Sequence, residues 1–185
     1  MRTNLKSKAY IYPLPVLVIG TYDANDVPNA MTAAWGCVCD RTKVSIIIDM
    51  NHKTAKNILR TKEFTVAITD LKTMVEADFV GIVSGNDYPN KLEKTNWTVT
   101  KSNNINAPIF VEFPLVLECK LDSIDQDKEM FIGEVVNVSC DDSILTNGRV
   151  DLNKFTPICY DTDTHGYYTL GKRVGDAFTE GEKIK

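Results

Sequence analysis

Four cations and no anion lie between Met50 and Lys62: Lys53, Lys56, Arg60 and Lys62. They run through Asn51-His52-Lys53-Thr54-Ala55-Lys56-Asn57, where the apolar spacing of Ala55, Ile58 and Leu59 predicts a short helix that Thr54 would cap. A cation at the start of a helix opposes the helix dipole by roughly 0.3 to 1 kcal/mol when exposed. A bound anion would reverse that sign, and the free amides of the first turn, the Thr54 hydroxyl and His52 would form a phosphate cradle. Read alone, the cluster is also a solvated basic turn. Upstream, Asn29-Ala30-Met31-Thr32-Ala33-Ala34-Trp35 reads as a strand whose period of two places Ala30, Thr32 and Ala34 on one face and Met31, Ala33 and Trp35 on the other. The thin face suits a flat group, with Thr32 and the backbone of Ala33 and Ala34 hydrogen-bonding its edge. No glycine-rich dinucleotide fingerprint and no Gly-Lys-Ser/Thr phosphate loop is present, and the glycines of Gly81–Gly85 have the wrong spacing for either.

The elements that must position these residues read mainly as strands. Pro13 to Tyr22 and Val27 to Gly36 form a hairpin through Asp23-Ala24-Asn25-Asp26, and Val44 to Ile48 is β-branched enough for a buried strand. Phe64 to Ile68 is another strand, followed by helical spacing over Leu71 to Val80. Asn86 to Ala107 is polar, with Tyr88, Leu92, Trp97, Val99 and Ile105 as anchors, and a loop of that length is functional or packs on a neighbour. Ile109–Phe113 and Leu115–Leu121 make a strand pair or one bent strand, Asp122 to Glu129 turns back into Met130–Val138, and Asp141 to Asn153 is a surface loop. Pro157–Tyr160 and Tyr167–Leu170 are short strands before a polar tail. Seven or eight strands against two short helices predict a mostly β fold, a barrel with short inserted helices.

The length of 185 residues predicts a single domain, 1–185, able to bury roughly 70% of its unfolded surface. Lys and Arg total 21 against 25 Asp and Glu, a formal charge of -4, so the balance argues against nucleic-acid partners and against a polybasic membrane patch. No apolar run approaches a membrane span and no signal-peptide pattern opens the chain, so the cytoplasm is the expected location. The five cysteines are odd in number and mostly sit in apolar or alternating runs, and with two histidines they predict structural thiols rather than a metal site.

Several ordered blocks carry a family resemblance. They are Val18-Ile19-Gly20-Thr21-Tyr22-Asp23, Pro28 through Gly36, His52-Lys53-Thr54 with Asn57-Ile58, Lys62-Glu63-Phe64-Thr65-Val66, Ala77 through Gly85, Asn90-Lys91 with Glu93-Lys94-Thr95, Asn106-Ala107-Pro108-Ile109, and Gly133-Glu134-Val135. Together, across Tyr12 to Gly181, the chain resembles the flavin reductase-like family and within it the flavoredoxin branch. The resemblance implies an FMN-binding split barrel, an antiparallel Greek-key barrel, working as a homodimer with flavin near the interface. It implies that Met31, Thr32, Ala33, Ala34 and Trp35 line the ring and ribityl region, that Asn51, His52, Thr54 and Asn57 hold the phosphate with Lys53 as charge partner, and that Ser84, Gly85 and Lys91 form a far wall. Leu92 and Asn96 depart from the family pattern, which alters the loop over the flavin.

The chemistry so implied belongs to the flavin, with no side chain as acid or base. NADH or NADPH is the expected donor of a hydride to FMN N5, passing electrons to a flavin, protein or small-molecule acceptor. The alternatives are an electron-transfer protein reduced by a carrier protein, and a flavin-binding protein without turnover. His165 and Tyr167 read as structural or partner-facing.

Overall fold

In chain order the computed structural model, which describes all 185 residues, forms β1 (Leu14–Pro15), β2 (Leu17–Tyr22), β3 (Pro28–Ala33), β4 (Gly36–Asp40), β5 (Lys43–Ile47), α1 (Lys53–Thr61), β6 (Glu63–Ile68) and α2 (Met74–Ile82). After α2 come β7 (Val99–Lys101), β8 (Pro108–Phe110), β9 (Leu115–Asp125), β10 (Met130–Cys140), β11 (Leu145–Thr146), β12 (Arg149–Val150), β13 (Ile158–Tyr160) and β14 (Tyr167–Thr169). Seven strands make one antiparallel sheet in the order β3-β2-β6-β9-β10-β5-β4. β3 and β4 therefore stand at opposite edges, yet only Ala34 and Trp35 join them. A two-residue link across a whole sheet is possible only if the sheet curls until its edges meet, which is the expected split barrel. The Trp35 carbonyl accepts from the Ile47 amide at 2.8 Å and ties the seam to β5.

The strand reading of Val27 to Gly36 is corrected by this seam, since the run is two strands in two places. The predicted helix over Leu71–Val80 starts later, at Met74, because the Asp70 carboxylate accepts from the amides of Lys72 and Thr73 and holds a turn there. β9 continues to Asp125, beyond the turn expected from Asp122.

Apolar residues sort by strand period into two cores. Leu17, Ile19, Phe64 and Val66 face the barrel interior with Ile46, Ile58 and Phe131. Val18, Ala30 and Ala67 face the other way, against Ala77 and Val80 of α2 and the cluster Trp97, Phe110 and Phe113. β2 and β6 are thus buried on both faces. The 86–107 segment is held by Trp97 and Ile105, both buried, while Tyr88 stays exposed and is no anchor.

A buried carboxylate fixes the end of that segment to the sheet. Glu118 on β9 is 1% exposed and accepts from the Ser102 hydroxyl, from Asn104 at 2.9 Å and from Asn137 at 2.7 Å. Desolvation pushes its pKa up, but the three hydrogen bonds outweigh it and hold the group below the ordinary glutamate value. A depressed carboxylate contributes stability above its unfolded pKa and loses it as pH falls through the folded one. Glu118→Gln is expected to lower stability at neutral pH by about 2 kcal/mol, with the gap to the wild type closing on acidification. Urea unfolding of both proteins across acid pH checks this, and a gap that persists unchanged in acid would refute it.

Candidate functional site

α1 begins at Lys53, and His52 is its N-cap without a side-chain hydrogen bond. Its first turn has no acidic residue, and the amides of Lys53, Thr54 and Ala55 have neither a capping nor a backbone partner. The four cations of the sequence pattern part company here. Arg60 donates to the Tyr22 carbonyl at 2.8 Å, Lys62 closes the helix in the left-handed region at φ 61°, and Lys56 is exposed. Only Lys53 turns to the front of the helix, where its ammonium lies 2.9 Å from the Asp23 carboxylate. Asp23 also accepts from the amides of Asn25 and Val27 in the β2–β3 turn. Partial burial opposes its charge, but Lys53 and the two amides prevail and depress its pKa.

Thr54 is not the cap. It lies inside the first turn, 1% exposed, and its hydroxyl accepts from the Asn29 amide at 2.8 Å. A cavity of about 190 Å³ opens beside it. β3 contributes Asn29 and Met31, the start of α1 contributes His52, Lys53 and Thr54, and the opposite wall is the end of α2 with Ser84, Gly85 and Lys91. No carboxylate lines it. A Cβ on Gly85 would come within 2.3 Å of the Asn29 side-chain oxygen, so the wall closes to this distance only with glycine.

A second cavity, of about 310 Å³, shares Gly81 and Ile82 with the first. Thr32, Ala34 and Trp35 form one side and Asp78 of α2 lies opposite. Tyr160, His165 and Tyr167 complete it because β1, immediately before β2, pairs with β13 in the register Leu14 to Tyr160 and so hangs the β13–β14 hairpin beside the seam. Trp35 and Tyr160 have ring centroids 6.4 Å apart, and the Tyr160 hydroxyl is 2.6 Å from Nδ1 of His165. Tyr167 donates to Asp78 at 2.7 Å; burial, then that hydrogen bond and the carboxylate charge, push its pKa up. The thin face of β3 does not stand free for a flat group along its length: α2 covers it, a Cβ on Gly81 would lie 3.1 Å from Thr32 Cβ, and the Thr32 hydroxyl donates to the Ala77 carbonyl.

The two cavities therefore bring together Met31, Thr32, Ala34, Trp35, His52, Lys53, Thr54, Ser84, Gly85 and Lys91. Three other expected residues line neither. Ala33 packs into the barrel core, Asn57 is buried and donates to the Thr21 hydroxyl at 3.0 Å, and Asn51 is exposed, its carbonyl accepting from Asn86. Asn29, Asp78 and Tyr160 are added. Asn29 was detectable as a polar residue at a strand position that alternation buries, whereas nothing local to Tyr160 connects it to Trp35.

A model of the flavin reductase like domain matches residues 9–166. The fold is similar to that of flavoredoxin from Desulfovibrio vulgaris (Miyazaki F), with a TM-score of 0.92 and 31% identity over 98% of this chain and 100% of that one. Flavoredoxin from Methanosarcina acetivorans matches with a TM-score of 0.89 and 22% identity over the whole of both chains. An FMN-binding domain of a flavin reductases-like enzyme from Shewanella baltica OS155 matches at 0.79 and 20%, covering 88% of each chain.

Because the Thr54 hydroxyl is engaged inside the protein, Thr54→Val would strand the buried Asn29 donor. It is expected to cost about 1 to 3 kcal/mol of stability without any ligand, read as a lower denaturant midpoint. An unchanged midpoint would mean that Thr54 serves a ligand alone.

Proposed function

From the premise that the chain belongs to the flavin reductase like family, we propose that it is an FMN-bearing electron-transfer protein of the flavoredoxin kind, reduced by a carrier protein. The observation that carries this is the pair of adjacent cavities, one cationic and small at a helix N-terminus, the other aromatic at the barrel seam. Their donor set fits the cofactor. The free amides of α1, Lys53, Lys91 and the Ser84 hydroxyl would hold the phosphate, and Trp35, Ala34 and the backbone at the end of β3 would border the ring. The Thr32 hydroxyl has its proton committed to Ala77 and would meet the cofactor as an acceptor only.

When bound, the flavin supplies the redox chemistry, taking up two electrons and releasing them singly or as a pair. The chain's part is to hold and shield. Met31 and Val80 give the first cavity apolar lining, and Tyr160, fixed by His165 and flanked by Tyr167, packs beside Trp35 in the ring cavity. Two features favour a carrier protein over a nicotinamide as donor. The ring cavity is lined by the carboxylate of Asp78 and by no lysine or arginine, a poor setting for a dinucleotide's pyrophosphate. Its rim is apolar and open, with Trp35 52% and Ile82 74% exposed, as a docking partner would require. The reading includes a homodimer, for which exposed Val75 of α2 offers apolar surface.

The purified protein is expected to be yellow and to release FMN on denaturation. Under anaerobic conditions a reduced ferredoxin-type carrier should bleach it, and NADH or NADPH alone should not. Bleaching by either nicotinamide at a comparable rate would restore hydride transfer as the reaction, and a protein that binds no flavin would end the proposal. Gly85→Ala, which forces Asn29 and Lys53 apart from the loop, should lower FMN content at least tenfold with the fold kept, as read by circular dichroism and flavin absorbance.

A further inference from the structure

Lys91 is the one lysine in the buried interior, 4% exposed. Its ammonium donates to the Val80 carbonyl at 2.7 Å and the Val83 carbonyl at 2.6 Å, both at the C-terminal end of α2. It takes part in no ion pair. An ammonium has three N–H donors, so one is left for the cavity that Lys91 lines with Lys53. The groups facing it supply no counter-ion. α1 presents His52 and Lys53, and the Asp23 carboxylate from the β2–β3 turn is occupied by Lys53. Asp87, Tyr88, Glu93 and Lys94 line a separate cleft on the other side of the Lys91 stem, and α2 offers only carbonyls. A buried cation with only neutral acceptors is a charge awaiting an anion.

We propose that Lys91 is a proton-linked latch for the cofactor phosphate: a phosphate dianion entering at the start of α1 draws Lys91 fully into its ammonium form, and FMN is thereby selected over flavin that lacks the phosphate. This rests on the FMN reading above. Burial first, and the Lys53 charge second, lower the Lys91 pKa from 10.5 to about 8. The bound dianion would raise it again. Below about pH 8, Lys91 is cationic with or without ligand and affinity is level, while above that pH binding must take up a proton and affinity falls. The phosphate itself is dianionic throughout, with its second pKa near ~6.

Titration calorimetry of the flavin-free protein with FMN, in buffers of differing ionisation enthalpy, tests this between about pH 7 and about pH 9. The wild type is expected to bind about tenfold more weakly at the upper limit and to take up close to one proton there. Lys91→Arg, which stays charged, should bind with level affinity and no proton uptake. Lys91→Gln should bind weakly and equally at all pH values, and riboflavin should bind weakly to the wild type without pH dependence. Tight FMN binding that is level in pH and free of proton uptake overturns the latch and leaves the FMN reading intact. Failure of FMN to bind at neutral pH overturns the FMN reading instead. Should Lys91→Gln fail to fold by circular dichroism, the wild type and Lys91→Arg decide the question between them.

Discussion

The structure depends on the seam at Ala34 and Trp35. β3 and β4 are consecutive in the chain but last in line at opposite edges of a seven-stranded sheet, so the backbone itself enforces closure. Everything at the site follows from the way that seam is held. Two residues spanning it cannot keep an extended hydrogen-bonded ladder, so their side chains turn outward: Ala34 is half-buried and Trp35 is left about half exposed. Leu17 on β2 lies against Gly36 at the start of β4, where a Cβ would meet its side chain at 2.6 Å. A larger residue there would prise the edges apart.

Charge is arranged around the same region by the two helices. α1 brings the positive end of its dipole to the first cavity, and α2 brings its negative end to the opposite wall. The two would cancel across a few ångströms if α2's last carbonyls stood free. Lys91 covers those carbonyls, and Asp23 moderates Lys53, so the cavity is left with a modest positive excess instead of two competing fields. A cavity of that kind favours an anion yet does not repel its own walls, which is a condition for folding before any ligand arrives.

The strands were legible because burial follows period two: Leu17 and Ile19 face one core, Val18 the other, and the alternation is plain in the sequence. The first cavity was half legible, since a cluster of cations along a short helix is a local signal. Its interpretation was not, because only contacts distant in sequence show that Arg60 serves the Tyr22 carbonyl and Lys53 serves Asp23. Lys91 sits in a polar stretch whose composition predicts exposure, and its burial is decided by α2 carbonyls about ten residues earlier. The second cavity was least legible. Trp35, Asp78 and Tyr160 meet through strand pairing of β1 with β13, and the period of either strand is silent about which partner it will take.

Local order is spent unevenly, and the unevenness points to the second cavity. His165 stands at φ 60°, an uncommon conformation for a residue with a side chain. Its loop is braced by Tyr12 donating to Asp161 and by Lys8 and Tyr10 donating to Asp163, so the first residues of the chain hold the strained turn in place. The effect is to fix the His165 ring on the Tyr160 hydroxyl in the lining of the second cavity. A loop whose only task was to join β13 to β14 would be served by glycine at that position and would need no brace from the far end of the chain. Strain held by distant contacts is retained where it positions something, and here what it positions is the aromatic wall that faces Trp35.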